Sequence, residues 1–264
     1  MYWEDRWEFE NSVEHEYKFA GRYGAKGEKR ERKRKPTPEQ MTRQNQLNKE
    51  NRVRRVIKAN FAEGDLWVTL KYPKGTRKTL GEVKKDMRDF LKKLRKEYKA
   101  RGDTLKFIYR LEIGERGGIH FHILVNRIKG KTNTDIIVKN CWAPGRIHYT
   151  PIDEYGGYQK LANYIVKQPN DEQEGQLSLF PKKERREFVK YSSSRNLIRP
   201  QPKRTVFRRR TVRKLIEEGP KPREGFYIDK GTLHSGVNRF TGYSYLRYTE
   251  YRITAKRRDE EGGG

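Results

Sequence analysis

Two short apolar runs joined by a tight glycine-rich connection constrain this chain more than any other feature. Residues 105–113 and 119–125 are dense in β-branched and aromatic side chains, and Gly114-Glu115-Arg116-Gly117-Gly118 separates them. The pattern reads as two strands folded back on each other. Side chains alternate along a strand, so Phe107, Tyr109 and Leu111 share one face while Ile108, Arg110 and Glu112 share the other. On the second strand Ile119, Phe121, Ile123 and Val125 make an apolar set, with His120 and His122 opposite. If the connection forms the loop, Glu112 stands directly across from His120. Two imidazoles and a carboxylate then share one patch, a donor set suited to a divalent ion such as Mg²⁺ or Mn²⁺. Glu115, in the turn, is the alternative carboxylate if the register shifts. The bland alternative is a pair of exposed histidines on a sheet.

The neighbouring sequence supplies partners for this hairpin. Leu66-Trp67-Val68-Thr69-Leu70-Lys71-Tyr72 reads as a strand closed by Pro73. Residues 79–100 read as a helix. Thr79 caps it, Glu82 follows at capping-box spacing, and Val83, Met87, Phe90, Leu91 and Leu94 form a stripe. A short helix over 134–142, a strand over 146–152 and a helix over 155–168, stopped by Pro169, complete the region. The expected class is α+β: an antiparallel sheet with helices packed on one face. Residues 1–60 read as a basic N-terminal arm, 61–170 as the core and 171–264 as a basic, aromatic-rich C-terminal extension. Within the arm, residues 37–59 read as a basic helix with a sparse apolar stripe. Within the extension, 171–181 read as a polar linker and 225–253 as one or two hairpins.

Charge narrows the partner. Lys and Arg number 62 against 35 Asp and Glu, a formal net charge of +27. A surplus that large is normally neutralised by a polyanion, and nucleic acid is the expected one. No apolar stretch reaches membrane-spanning length, so no membrane association is expected. Met1-Tyr2-Trp3-Glu4-Asp5 does not open a signal peptide, and a cytoplasmic protein of a bacterial host cell is the expectation. The single cysteine, Cys141, excludes an internal disulfide framework and a thiolate zinc site.

One further constellation lies in the 155–168 helix. Tyr164 and Lys167 are three apart and share a helical face, whereas Tyr158 is rotated about 240° from Tyr164. A phenol is a poor nucleophile near neutrality, because its ordinary pKa is about 10, and a nearby cation would favour phenolate. Taken alone, a Tyr-Lys pair on a helix is ordinary packing.

In their order, these segments resemble the HUH endonucleases. His120-Phe121-His122 is similar to the histidine–hydrophobe–histidine signature of that superfamily. Tyr164-Ile165-Val166-Lys167 is similar to the YxxK motif of its single-tyrosine rolling-circle replication initiators, from bacterial plasmids and single-stranded DNA phages. Trp67-Val68-Thr69-Leu70-Lys71-Tyr72 resembles the strand that precedes the metal strand. The resemblance implies an RRM-like core of about five antiparallel strands with flanking helices. It also implies Mg²⁺ or Mn²⁺ held by His120, His122 and Glu112, and Tyr164 as nucleophile with Tyr158 as the alternative. Lys167 would orient the phosphate. The implied reaction is nicking and joining of single-stranded origin DNA through a 5′-phosphotyrosine bond.

Arg110, Lys71, Arg195 and the run Arg208-Arg209-Arg210 are the expected DNA contacts, mainly to phosphates. No Gly-x-x-x-x-Gly-Lys-Ser/Thr loop occurs, so unwinding is expected from a host helicase and extension from a host DNA polymerase. A transposase or relaxase of the same chemistry is the nearest competitor. A non-enzymatic nucleic-acid-binding protein, using aromatics such as Tyr243 and Tyr245 for stacking, is the competitor from another class.

Overall fold

The structure is a computed structural model that describes residues 1–21, 24, 27–114, 117–130, 133–150, 152, 158–207 and 212–253. Glu115 and Arg208-Arg209-Arg210 lie outside the described residues. In chain order the elements begin with β1 (Tyr2–Glu8), β2 (Ser12–Phe19), α1 (Pro38–Asn60), β3 (Leu66–Lys71), α2 (Leu80–Ala100), β4 (Phe107–Ile113) and β5 (Ile119–Val125). They continue with α3 (Thr134–Cys141), β6 (Arg146–Thr150), α4 (Gln159–Val166), α5 (Asp171–Leu177), α6 (Lys182–Val189) and β7 (Tyr191–Ser193). The last are β8 (Lys203–Phe207), α7 (Val212–Glu218), β9 (Phe226–Ile228), β10 (His234–Asn238) and β11 (Tyr243–Arg252). The chain is α+β, with two antiparallel sheets. By contacts it divides into two units, Thr42–Arg199 and the combination of Met1–Met41 with Pro200–Gly264.

The Thr42–Arg199 unit is built on a five-stranded sheet in the order β6-β3-β5-β4-β7. Strands β4 and β5 pair in the expected register, with Glu112 opposite His120 and Arg110 opposite His122. Helix α2 starts at the expected capping box: Thr79 accepts from the Glu82 N–H while the Glu82 carboxylate accepts from the Thr79 N–H. Its buried stripe, including Val83, Met87, Phe90 and Leu94, packs on Leu111, Phe121 and Ile123 together with Ile137 and Val138 of α3.

The opposite face is covered too, and this corrects the expectation of helices on one face. Val53, Val56 and Ile57 of α1 and Ala162, Ile165 and Val166 of α4 close over Trp67, Ile108 and Leu124. The reason is physical: each inner strand carries an apolar residue on its second face as well, and those residues need cover. Gly145, just before β6, admits no side chain, because a Cβ there would collide with the Lys71 carbonyl.

Residues 171–181, expected to be a linker, hold α5. Asn170 and Gln173 form a second capping box, and Leu177 and Gln173 are buried. Composition hid this helix because five of its seven residues are polar or charged side chains.

The other unit carries a sheet ordered β10-β11-β2-β1-β8, with β9 also paired to β11. Its core gathers Tyr2, Tyr17, Leu246 and Tyr248 under Val212 and Leu215 of α7. The β9-β11 and β10-β11 pairings are hairpin-like, as residues 225–253 suggested. The N-terminal segment does not stand alone as an arm before the helix, since β1 and β2 are neighbouring strands of this sheet. Its strands escaped a hydropathy reading because buried positions are ionic. Asp5 is 1% exposed and bonds Lys18 and Arg204, both at 2.5 Å.

Candidate active site

Strand pairing brings Thr69, Arg110, Glu112, His120 and His122 onto the α4 side of the five-stranded sheet. Helix α4 lays Tyr164 over them. The Tyr164 hydroxyl donates to Glu112 Oε2 at 2.5 Å and lies 2.8 Å from His122 Nε2. His122 Nε2 and His120 Nε2 stand 2.9 and 3.6 Å from the same Glu112 oxygen. Lys167, one step past the end of α4, reaches Glu112 Oε1 at 3.0 Å and sits 4.9 Å from the Tyr164 ring centre. Four of the expected site residues thus converge on a single carboxylate.

Side chains around the cluster fix its orientation. His122 Nδ1 is 3.1 Å from Thr69 Oγ1, and His120 Nδ1 is 3.3 Å from the Gly118 carbonyl. Both Nδ1 atoms are therefore engaged away from the cluster and both Nε2 atoms point into it. When His122 Nδ1 donates to the threonine hydroxyl, Nε2 presents its lone pair; when it accepts, Nε2 carries the proton toward Glu112. Gln173 of α5 donates to Glu112 Oε1 at 2.9 Å. The Trp67 ring stacks on His122 at 5.7 Å and meets Tyr164 edge-on at 5.8 Å.

Electrostatics follow from this packing. Burial is the largest influence on Glu112 and would raise it. Hydrogen bonds from His120, His122, Tyr164 and Gln173 override that and hold its carboxyl far below the usual range. Tyr164 is pushed well above an ordinary phenol, first by burial and then by its bond to the Glu112 carboxylate. Burial lowers His122 and keeps it toward the neutral form that a ligand requires.

Glu112, His120 and His122 fit a divalent ion by donor chemistry: one atom from each lies within 4.8 Å of the others. The contacts to Thr69 and to the Gly118 carbonyl are those expected around ligating histidines.

Other expected residues lie elsewhere. Arg110 is 2% exposed, and its guanidinium donates to the carbonyls of Tyr164 at 2.7 Å, Lys167 at 3.2 Å and Phe188 at 3.3 Å. It ties down the end of α4 and α6 and is not placed to meet DNA, which corrects that expectation. Burial weakens its hold on the proton. Lys71 is exposed at the end of β3, opposite His120. Arg195 is exposed beyond β7, and Tyr158, 4% exposed, packs in the apolar cluster under α1 and α4. Tyr158 adopts φ 61° as the residue capping α4.

Sequence reasoning missed Thr69, Trp67 and Gln173 as site residues. Alternation along β3 could have found the first two, since Thr69 pairs with His122 in the register. Nothing local marked Gln173.

A buried tyrosine hydroxyl against a two-histidine, one-glutamate cluster on an antiparallel sheet defines a candidate metal-assisted site with a tyrosine beside it. Residues 65–169 match a family model of replication-associated proteins, the ORF2 type. The match encloses the whole cluster from Trp67 to Lys167 and is consistent with a rolling-circle replication initiator. No curated protein matches the chain.

Proposed function

We propose that this protein is an HUH-type endonuclease that nicks and rejoins single-stranded DNA at a replication origin and so initiates rolling-circle replication. The observation that carries the reading is the placement of the Tyr164 hydroxyl within hydrogen-bond reach of both Glu112 and His122. A divalent ion, Mg²⁺ or Mn²⁺, held by Glu112, His120 and His122, would polarise the scissile phosphate.

The chain's own residues do the rest. Tyr164 oxygen attacks phosphorus in line, forming the Tyr–O–P bond as the P–O3′ bond breaks. The phenolic proton leaves through the Glu112–His122 pair, and the departing 3′ oxygen takes up a proton to become a free hydroxyl. Glu112 releases Tyr164 and Lys167 as the phosphate arrives, so both turn from the carboxylate to the incoming anion. Lys167, half exposed beside the ring, then neutralises and orients that phosphate. Arg110 acts only as a positioning residue, holding the last carbonyls of α4. The phosphotyrosine bond conserves the energy of the phosphodiester, so reversal by a 3′ hydroxyl rejoins the ends without a nucleotide. A host helicase and DNA polymerase would act on the released strand, in the cytoplasm of a bacterial cell.

The test is incubation of the protein with labelled single-stranded DNA carrying a candidate origin, in Mn²⁺ or in EDTA. A denaturation-resistant protein–DNA band that needs metal and disappears in Tyr164→Phe is the expected result. A band that persists in Tyr164→Phe moves the nucleophile, first to Tyr158. Tight salt-sensitive binding with no band under any condition returns the protein to the non-enzymatic class.

A further inference from the structure

The reverse side of the same sheet carries a second concentration of cations that the tyrosine chemistry does not use. Along α2, Lys84, Arg88, Arg95 and Lys99 are spaced by four, seven and four residues, which places them on one helical face. That face borders β7, an edge strand paired only to β4. Lys190 and Arg195 stand just before and just beyond β7, so six cations line the channel between helix and edge.

Two cavities mark the channel. One of about 680 Å³ is lined by Arg95, Lys99, Thr104, Ser193, Arg195 and Asn196, among others. The other, about 340 Å³, is lined by Lys84, Arg88, Lys190 and Ser192 together with Tyr109 and Glu187.

Most of this charge is left without a carboxylate. Lys84 pairs with Glu187 at 2.8 Å. Arg88, Arg95, Lys99 and Arg195 form no ion pair among the described residues. The nearby Asp103 is engaged by the backbone N–H groups of Thr104 and Lys129. Exposed cations that repel one another along a groove, with serine and threonine hydroxyls between them, are the chemistry of phosphate recognition.

The groove faces away from the tyrosine. Phe107, Tyr109 and Leu111 point toward α2, while Arg110 and Glu112 alternate to the other side. From Lys84 to Lys99 the helix rises about 22 Å, the length of six to seven nucleotide steps in one strand of a duplex.

We propose that the α2–β7 groove is a second DNA site, which grips the phosphate backbone of a double-stranded stem beside the strand presented to Tyr164. The inference rests on the reading of DNA as the partner. Duplex rather than single strand follows from the lining. Phe107 is 5% exposed and Tyr109 is only partly buried against the core, so the groove offers charge and hydroxyls but no open platform for stacking bases. A stem held there would fix the position of the adjoining single strand without reading its sequence.

The experiment compares two probes on the full chain, in EDTA and in the Tyr164→Phe background, so that no covalent step contributes. One probe is a single-stranded oligonucleotide; the other carries the same strand with a hairpin stem attached. In Arg88→Gln/Arg95→Gln/Lys99→Gln the stem-bearing probe is expected to bind roughly tenfold more weakly or worse. Its plot of log affinity against log salt becomes shallower by about 2.7, three contacts at about 0.9 each. The single-stranded probe binds unchanged. A control that removes equal charge from the outer face of α2, Lys85→Gln/Lys93→Gln/Lys96→Gln, leaves both probes alike.

Equal weakening of both probes, or none, overturns the proposal. So does unaltered stem binding in a triple variant that no longer binds inorganic phosphate or ATP, since the groove would then take free phosphates. Failure of covalent capture with stem binding intact would sink the nuclease reading and leave this one standing.

Discussion

Each sheet of this protein buries a histidine beside glutamate and tyrosine, to opposite ends. In the sheet that carries β2, the His15 ring stacks on Tyr248 at 4.7 Å and lies 3.1 Å from Glu4 and 3.7 Å from Glu250. Its two nitrogens face two different carboxylates, so the group is a bridge between strands and has no common focus. In the five-stranded sheet the Nε2 atoms of His120 and His122 and the hydroxyl of Tyr164 all face one oxygen of Glu112. The residue types are nearly the same. The difference is convergence: donors aimed at one point can be shared with an ion or a phosphate, whereas donors spent pairwise on buried partners only stabilise the fold.

The sharpest way to break that comparison is to delete the two tyrosine hydroxyls that touch a glutamate. Tyr164→Phe is expected to lower covalent capture of single-stranded DNA by at least about 10³-fold, because the nucleophile is gone. Tyr17→Phe, which removes the bond to Glu4, should leave capture at the wild-type level. Comparable losses in both would mean that the convergent cluster has no special role.

Next in size is the shared carboxylate. Glu112→Gln keeps the shape but removes the charge, and capture at fixed Mn²⁺ should fall by about 100-fold or more, partly restored at higher Mn²⁺. A metal titration that overlays the wild type would exclude Glu112 as a ligand.

Arg110→Met probes what holds the tyrosine in place. Its guanidinium is buried, and its loss strands several carbonyls at the end of α4. Denaturant unfolding should show the Thr42–Arg199 unit destabilised by about 2–4 kcal/mol. A change within about 0.5 kcal/mol would remove Arg110 from any positioning role.

Thr69→Val sharpens the comparison at a finer level. Losing the partner of His122 Nδ1 should raise the Mn²⁺ concentration needed for capture by roughly 10-fold, while Thr69→Ser keeps it near the wild-type value.

The smallest effect is a pH dependence confined to the other sheet. Glu4 is held low first by its bond to His15. Burial, the largest influence on Asp5, would raise it, but Arg204 and Lys18 more than reverse this and hold it low. A depressed carboxylate stabilises the folded state above its unfolded pKa of about 4, and that contribution fades as pH falls through the folded value. Thermal melts between pH 5 and pH 2 should therefore show declining stability, with a shallower decline in Asp5→Asn. An identical slope in the variant would remove Asp5 from the acid response.

Much of this could be read before any tertiary structure. The period-two alternation of β4 and β5, with five residues between them, determined that Glu112 faces His120, since one step of slippage would turn Phe121 and Ile123 to the wrong side. Thr79 and Glu82 determined where α2 begins, because capping is local. The three-residue spacing of Tyr164 and Lys167 put both at the same end of α4.

Tertiary structure alone decided the rest. Tyr164 meets Glu112 across 52 positions of sequence and Gln173 meets it across 61, and no local pattern encodes such closures. It was packing that turned Arg110 from an expected DNA contact into a buried clamp on α4, since its alternation only placed it on a face that α4 then covered. Pairing likewise drew the N-terminal strands and the strands after residue 200 into one sheet. Local signals specify what a segment can be, through backbone geometry and capping. Which distant groups share one carboxylate is settled only when two faces of a sheet are both buried and every polar atom between them must find a partner.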